Sequence, residues 1–223
     1  RSVTEDVLDI AGIAALRGIS ETPTGWRLGA TTTWSELVEA ELPSLFNGLK
    51  QAGREVGGRQ IQNAGTLAGN ICNASPAADG VPPLLALDAE VEITSLAGNR
   101  RLALAAFITG VRKTVLRPGE LVTAIHVPCT QHAARAGFVK LGARRYLVIS
   151  IAMASAVLEV ADGKVAAARV AVGACSPVAQ RLPALESALI GMTFGRSLSD
   201  RVEASHLAPL SPIDDVRGSA AYR

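Results

Sequence analysis

The stretch NAGTLAGNICNASPAAD, residues 63–79, constrains the fold more than any other part of this chain. Two glycines, three asparagines, a Ser-Pro and an Asp cannot sustain a long helix or a clean strand, so a loop is expected here. Gly65 and Gly69 around Thr66 can turn successive backbone N–H groups toward one point, because no Cβ intervenes. Thr66 adds a hydroxyl, and Asn63 and Asn70 add side-chain amides. Asp79 can accept from sugar hydroxyls, the role a carboxylate often has beside a nucleotide. The stretch is neither GxGxxG nor GxxxxGK[ST], so on its residues alone an anion site and a plain connecting loop both stay open.

The flanking segments give an α+β chain. VLDI (7–10) and WRLGA (26–30) are candidate strands. Thr33-Trp34-Ser35-Glu36 is a capping box that starts a helix, and Pro43 suits the first turn of a second helix running to about Gln51. Gly57-Gly58 closes that helical region. LLALDAEVEITS (84–95) passes from a helical turn into a strand, with a turn expected at Gly98-Asn99. RPGE (117–120) is a turn and ELVTAIHVP (120–128) a strand. CTQHAARA (129–136) has little pattern and is expected to be a linker.

Beyond it, GFVKLG, ISIAMASAVLEV and VAAARVAVGAC are apolar strands, the last two joined by Asp162-Gly163, a strong hairpin signal. LPALESALIG (182–191) and LSDRVEASHL (198–207) are expected helices. Tyr146 to Val160 is expected to be buried core. The domains implied are 1–128, a linker at 129–136, and 137–223.

Composition excludes several functions. A net charge of +2 with scattered basic residues gives no case for nucleic acid or a membrane surface. No run approaches the roughly 18 apolar residues of a membrane span. Three isolated cysteines, Cys72, Cys129 and Cys175, provide neither a disulfide framework nor a Cys₄ cluster, and a reduced, cytoplasmic protein is expected. His126, His132 and His206 are expected to be solvated or satisfied in the core, and Trp26 and Trp34 to be core. Arg144-Arg145 can face solvent or dock a partner or cofactor.

The run GGRQIQNAGTLAGNICNASPAADGVPPLLALDAEVEI (57–93) resembles the FAD-binding domain of the molybdenum hydroxylase flavoproteins, the medium subunits of xanthine dehydrogenase, carbon monoxide dehydrogenase and their relatives. The matching positions are Gln60-Ile61-Gln62-Asn63, Gly65-Thr66, Gly69-Asn70, Ala74-Ser75-Pro76, Asp79, Pro82, Leu84, Leu87 and Ala89. LGATTTWSEL (28–37), GELVTAIHVP (119–128), FVKLGARRYLVISIAMASAVL (138–158) and the tail PIDDVRGSAAYR (212–223) extend the similarity over nearly the whole chain.

The resemblance implies a PCMH-type FAD-binding domain, lacking its first strand and glycine-rich loop. A C-terminal domain like that of the CO dehydrogenase flavoprotein follows, with a three-stranded antiparallel sheet and helices. It assigns the FAD to Thr66, Leu67, Ala68, Gly69 and Asn70 at the pyrophosphate and ribityl region, and to Asp79 at a sugar-facing or ribityl-facing position. Val56 falls near the adenine, Val122 offers a backbone contact on the flavin side, and Lys140 lies near the polar edge of the isoalloxazine. A positive charge there would stabilise reduced flavin and raise its potential.

Ala68 stands where the family has a second glycine; its Cβ would crowd the pyrophosphate or require a slightly different backbone. With the first glycine-rich loop lying upstream of this sequence, about half of the FAD site is expected here. The implied partners are a molybdopterin-binding large subunit and a [2Fe–2S] small subunit, with NAD⁺ or another acceptor taking the electrons. A flavin-domain remnant acting as an assembly module, and a free-standing FAD-dependent oxidase, are the alternative readings.

Overall fold

The computed structural model describes residues 7–223. The N-terminal part is built on an antiparallel sheet of five strands: β1 (Ile19–Thr22), β2 (Gly25–Gly29), β3 (Glu90–Ser95), β4 (Gly98–Ala103) and β7 (Leu121–Pro128), in the order β1-β2-β7-β3-β4. Between β2 and β3 run five helices: α1 (Trp34–Glu39), α2 (Asn47–Glu55), α3 (Arg59–Ala64), α4 (Leu67–Asn73) and α5 (Val81–Ala86). A short helix α6 (Leu104–Phe107) and a two-stranded ribbon, β5 (Ile108–Gly110) with β6 (Lys113–Thr114), precede β7.

The C-terminal sheet runs β11-β10-β9-β8, from β8 (Ala133–Leu141), β9 (Ala152–Ala161), β10 (Lys164–Gly173) and β11 (Gln180–Arg181). Helix α7 (Pro183–Leu189) follows. The class is α+β, an N-terminal part of sheet and helices followed by a C-terminal sheet with α7. No helix among the described residues is long and apolar enough to cross a membrane.

The local rules that shaped these elements are visible. Thr33 accepts from the Glu36 amide while the Glu36 carboxylate accepts from the Thr33 amide, and α1 begins there. Asp162 and Gly163 both take positive φ, 50° and 71°, which matches the twist of the β9–β10 hairpin. Alternation along β9 turns Met153, Ser155 and Val157 to one face, where α2 and α5 cover them. The other face of β10 and β9 packs on Leu182, Leu185 and Leu189 from the start of α7 onward. One cluster of buried residues runs from Leu28, Trp34 and Phe46 through α4 and α5 to Val157 and Ala171, so the two sheets share a core.

Polar ties cross the same junction. The α5 carbonyls of Leu85 and Ala86 accept from Arg181 Nη1 at 3.1 Å and Arg169 Nε at 2.9 Å, which satisfies a helix end with cations. Arg169 also pairs with Glu159 at 2.8 Å. Burial pushes the Glu159 carboxyl up, but Arg169 and the amides of His132 and Gln131 outweigh it and hold it below its ordinary value. At the free edge of the C-terminal sheet, Ser44 Oγ donates to Ala134 O at 2.7 Å, and the Phe138 amide donates to Gln51 Oε1 at 2.7 Å.

Several expectations need correction. VLDI forms no strand; Val7 and Leu8 lie exposed, with too short an apolar run to anchor it. The stretch 63–79 contains all of α4, because Thr66 caps the helix and Leu67 and Ile71, four apart, are both fully buried. The turn expected at Gly98-Asn99 is centred on Leu96-Ala97, since Gly98 already pairs with Ser95. Pro43 precedes a 3₁₀ turn (Ser44–Phe46), and α2 continues to Glu55.

Ala133–Ala136, placed in the linker, begin β8. A fourth short strand, β11, joins the three expected in the C-terminal sheet. Tyr146, Leu147 and Ile149 are exposed rather than core; burial starts only at Ser150 and Ile151 and then alternates along β9. Residues 198–207 form parts of two 3₁₀ segments, Arg196–Arg201 and Ala204–Leu207, neither with a buried face to stabilise an α-helix. Strand β1, the β5–β6 ribbon and α6 had no counterpart among the expected elements.

Candidate flavin site

Where α2 ends, Gly57 takes φ +53°, a conformation that favours glycine, and a Cβ there would sit 2.8 Å from Ile61 Cβ. This sharp exit from α2 opens a cavity of about 410 Å³. Its walls come from the α2–α3 junction (Glu55, Val56, Ile61), from Asn70 and Asn73 of α4, from Ser75 to Asp79, and from Lys140 of β8 with Leu147 to Ile149. A second cavity of about 590 Å³ adjoins it, sharing Glu55, Lys140 and Val148, and is bordered by Arg54, Arg144 and Arg145.

The centre of the first cavity is a charge pair. Asp79 Oδ2 accepts from Lys140 Nζ at 2.6 Å, and Lys140 also donates to Glu55 O at 3.3 Å. Both side chains are more than nine-tenths buried. Asp79 Oδ1 accepts from Ser150 Oγ at 2.5 Å. Ser150 is fully buried, and its carbonyl accepts from Arg217 Nη1 at 2.9 Å. Arg217 and Arg223 both grip Asp215, and these hydrogen bonds, that of Arg217 first, hold its carboxyl well below the usual carboxylate range.

The structure gathers Val56, Asn70, Asp79 and Lys140 around one cavity. Asn70 Oδ1 accepts from the Gly80 amide at 3.2 Å, tying α4 to the end of the loop. The Val56 carbonyl accepts from Gln62. Thr66 to Gly69 form the first turn of α4 and do not line the cavity. Thr66 Oγ1 accepts from the Gly69 amide, the Leu67 amide donates to Thr32 O, and Leu67 and Ala68 are buried. Ala68 packs into the core, which is where its Cβ goes. Val122 sits opposite Ile93 in the N-terminal sheet, buried in the main core and apart from the cavity.

Sequence reasoning missed Ile61 and the run Leu147 to Ile149 as parts of this wall, and Ser150 as the buried donor to Asp79 behind it. A serine inside the apolar run ISIA was the one available signal for Ser150. His126 Nε2 donates to the Glu92 carboxylate at 2.8 Å on the N-terminal sheet. Burial raises Cys72 to about 11, which leaves it an unreactive thiol.

These residues fit one end of a flavin. Apolar side chains from Val56, Ile61 and Leu147 to Ile149 offer flat walls, and Asn70, Asn73, Asp79 and Lys140 offer donors and acceptors for a polar heteroaromatic edge. Residues 1–130 match the family described as "FAD binding domain in molybdopterin dehydrogenase", and residues 138–223 match "CO dehydrogenase flavoprotein C-terminal domain". The chain belongs to this family.

A putative xanthine dehydrogenase FAD-binding subunit of Escherichia coli is 31% identical, over 97% of this chain and 75% of its own length. A 6-hydroxypseudooxynicotine dehydrogenase complex subunit alpha of Paenarthrobacter nicotinovorans is 32% identical over 100% of this chain and 74% of its own. Among solved structures, a chain of the reconstituted CO dehydrogenase from Oligotropha carboxidovorans superposes with a TM-score of 0.85 at 28% identity, covering 94% of this chain and 73% of that one. The protein is therefore an FAD-binding flavoprotein component of a molybdenum hydroxylase, an oxidoreductase of the xanthine and CO dehydrogenase type.

Proposed function

We infer that this flavoprotein relays electrons within a larger complex, taking them from [2Fe–2S] clusters of a small partner subunit and passing them through FAD to NAD⁺ or another acceptor. A molybdopterin-binding large subunit would carry out the hydroxylation. The observation that carries this reading is the cavity lined by Asn70, Asp79 and Lys140 beside apolar walls, in a chain whose family is defined by FAD binding. When bound, FAD supplies the step between one-electron and two-electron transfer.

The chain's own residues bind, orient and shield that group. Val56, Ile61 and Val148 would exclude water from the ring, while Asn70 and Asp79 would fix its polar edge. Arg54, Arg144 and Arg145 border the adjoining cavity, and guanidinium groups suit an anionic acceptor such as a dinucleotide. The reading also keeps Thr66 to Gly69 for the pyrophosphate, outside this cavity, leaves Val122 to a backbone contact only, since its side chain is in the core, and sets the work of the complex in the cytoplasm.

The test is to purify the full chain with added FAD and record its visible spectrum and flavin stoichiometry. Retained flavin at one per chain, reduced in Asp79→Ala, supports the reading. A colourless protein that takes up no FAD would sink it.

A further inference from the structure

We propose that Ser150 is a positioning residue for the flavin-facing charge. Its hydroxyl fixes Asp79 against Lys140, so that a bound flavin meets a compensated pair rather than a lone ammonium. This rests on the flavin reading of the cavity.

The geometry of Asp79 is the starting point. Each carboxylate oxygen takes one buried donor, Ser150 Oγ at 2.5 Å on Oδ1 and Lys140 Nζ at 2.6 Å on Oδ2. Two donors on different oxygens lock the rotation of a carboxylate, where one would leave it free to swing. Ser150 is itself held: its carbonyl accepts from Arg217 Nη1, and Arg217 is braced by Asp215. The hydroxyl is therefore aimed at Asp79 by its own backbone, which the tail of the chain anchors.

Lys140 is the group that depends on this. Its ammonium is buried and, among the described residues, has one anionic partner, Asp79, plus the neutral Glu55 carbonyl. A buried cation beside a redox ring favours the reduced, more negative form, and an adjacent anion cancels much of that field. When Asp79 is held in place, Lys140 acts as half of a dipole. When the Ser150 hydroxyl is removed, Asp79 loses one of its two restraints and Lys140 is less compensated.

The experiment uses the full chain with Ser150→Ala, Ser150→Thr and Asp79→Asn. Without flavin, lysines are reductively methylated and the rate at Lys140 is read by peptide mass spectrometry. Lys50, whose amine donates to Ala40 O, serves as the internal control. Ser150→Ala should label Lys140 several-fold faster than the parent with Lys50 unchanged, and Ser150→Thr, which keeps the hydroxyl, should label at the parental rate. With FAD added, the reduction potential of the bound flavin is read against a reference dye. Ser150→Ala should shift it to a more positive value, Asp79→Asn should shift it further the same way, and Ser150→Thr should leave it in place.

Equal labelling of Lys140 in Ser150→Ala and the parent overturns the positioning role, whatever the flavin does. Faster labelling of Lys50 together with Lys140 overturns it too, since that is general loosening. Altered labelling with an unchanged potential in Ser150→Ala and Asp79→Asn overturns the charge-setting role. If the parent takes up no FAD, the flavin reading falls, while the labelling still decides for or against Ser150.

Discussion

At the start of α4, Thr66 Oγ1 accepts from the Gly69 amide and the Leu67 amide donates to Thr32, all within the N-terminal part of the chain. Asp79, a few residues past the end of α4, instead takes both of its side-chain donors from the segment 140–150 of the C-terminal part. The first group of polar atoms is satisfied by neighbours and makes a helix begin. The second is satisfied only when the two sheets are docked. Within one motif, local and tertiary polar bonding are thus separable: the turn at Thr66 stabilises a local element, and the polar edge of the cavity exists only as a product of tertiary structure.

The sharpest way to break that contrast is Lys140→Met. It strands a carboxylate that is more than nine-tenths buried, and losing one partner of a buried pair costs on the order of 3–5 kcal/mol. Urea unfolding should show that loss, and a midpoint equal to the parent's would mean the pair is not closed in solution. Gly80→Ala should cost about 1–3 kcal/mol, because the added Cβ would lie 2.6 Å from Trp34 Cη2 and 2.8 Å from Asn70 Oδ1. The midpoint from the same urea curves checks it; no loss would mean that Trp34 can shift.

Thr66→Ala removes only a helix cap and should cost about 1 kcal/mol, measured by the same unfolding. A loss as large as that of Lys140→Met would erase the distinction between the two regions. The smallest effect concerns a part-buried pair, Arg100 and Glu120, that does not line the cavity. Hydrogen bonds from Arg100 first, then from the Arg117 amide, lower Glu120 to about 2. Its unfolded carboxyl titrates near 4.5, so its contribution is complete above that pH and disappears as pH falls toward 2. Glu120→Gln should flatten the acid side of the stability profile in that window, and an unchanged profile would show the pair to be loose.

The same division explains what the sequence made legible. The capping box at Thr33, the Asp162-Gly163 hairpin and the placement of Pro183 at the start of α7 depend on residues a few positions apart, and each formed as expected. The family pattern named Asp79 and Lys140 as members of one site. It did not indicate that they would bond to each other across 61 positions, nor that Ser150 would join them across 71. Strand β1 was missed because ISET carries no apolar alternation; its pairing with β2 is supplied by the tertiary structure. The exposure of Tyr146 to Ile149 was missed for the opposite reason. Apolar character suggested core, but Leu147 to Ile149 border an open cavity and Tyr146 is exposed.

Gln51 joins two matters that would otherwise be unrelated. It borders the arginine-lined cavity, and its side-chain oxygen also takes the outward-facing Phe138 amide of β8, as Ser44 does for the Ala134 carbonyl. An unsealed outer strand is a template on which another chain can add. Any effort to reshape that cavity through Gln51 would therefore also unseal a surface suited to self-association, so the shape of the cavity and resistance to aggregation are coupled through one amide.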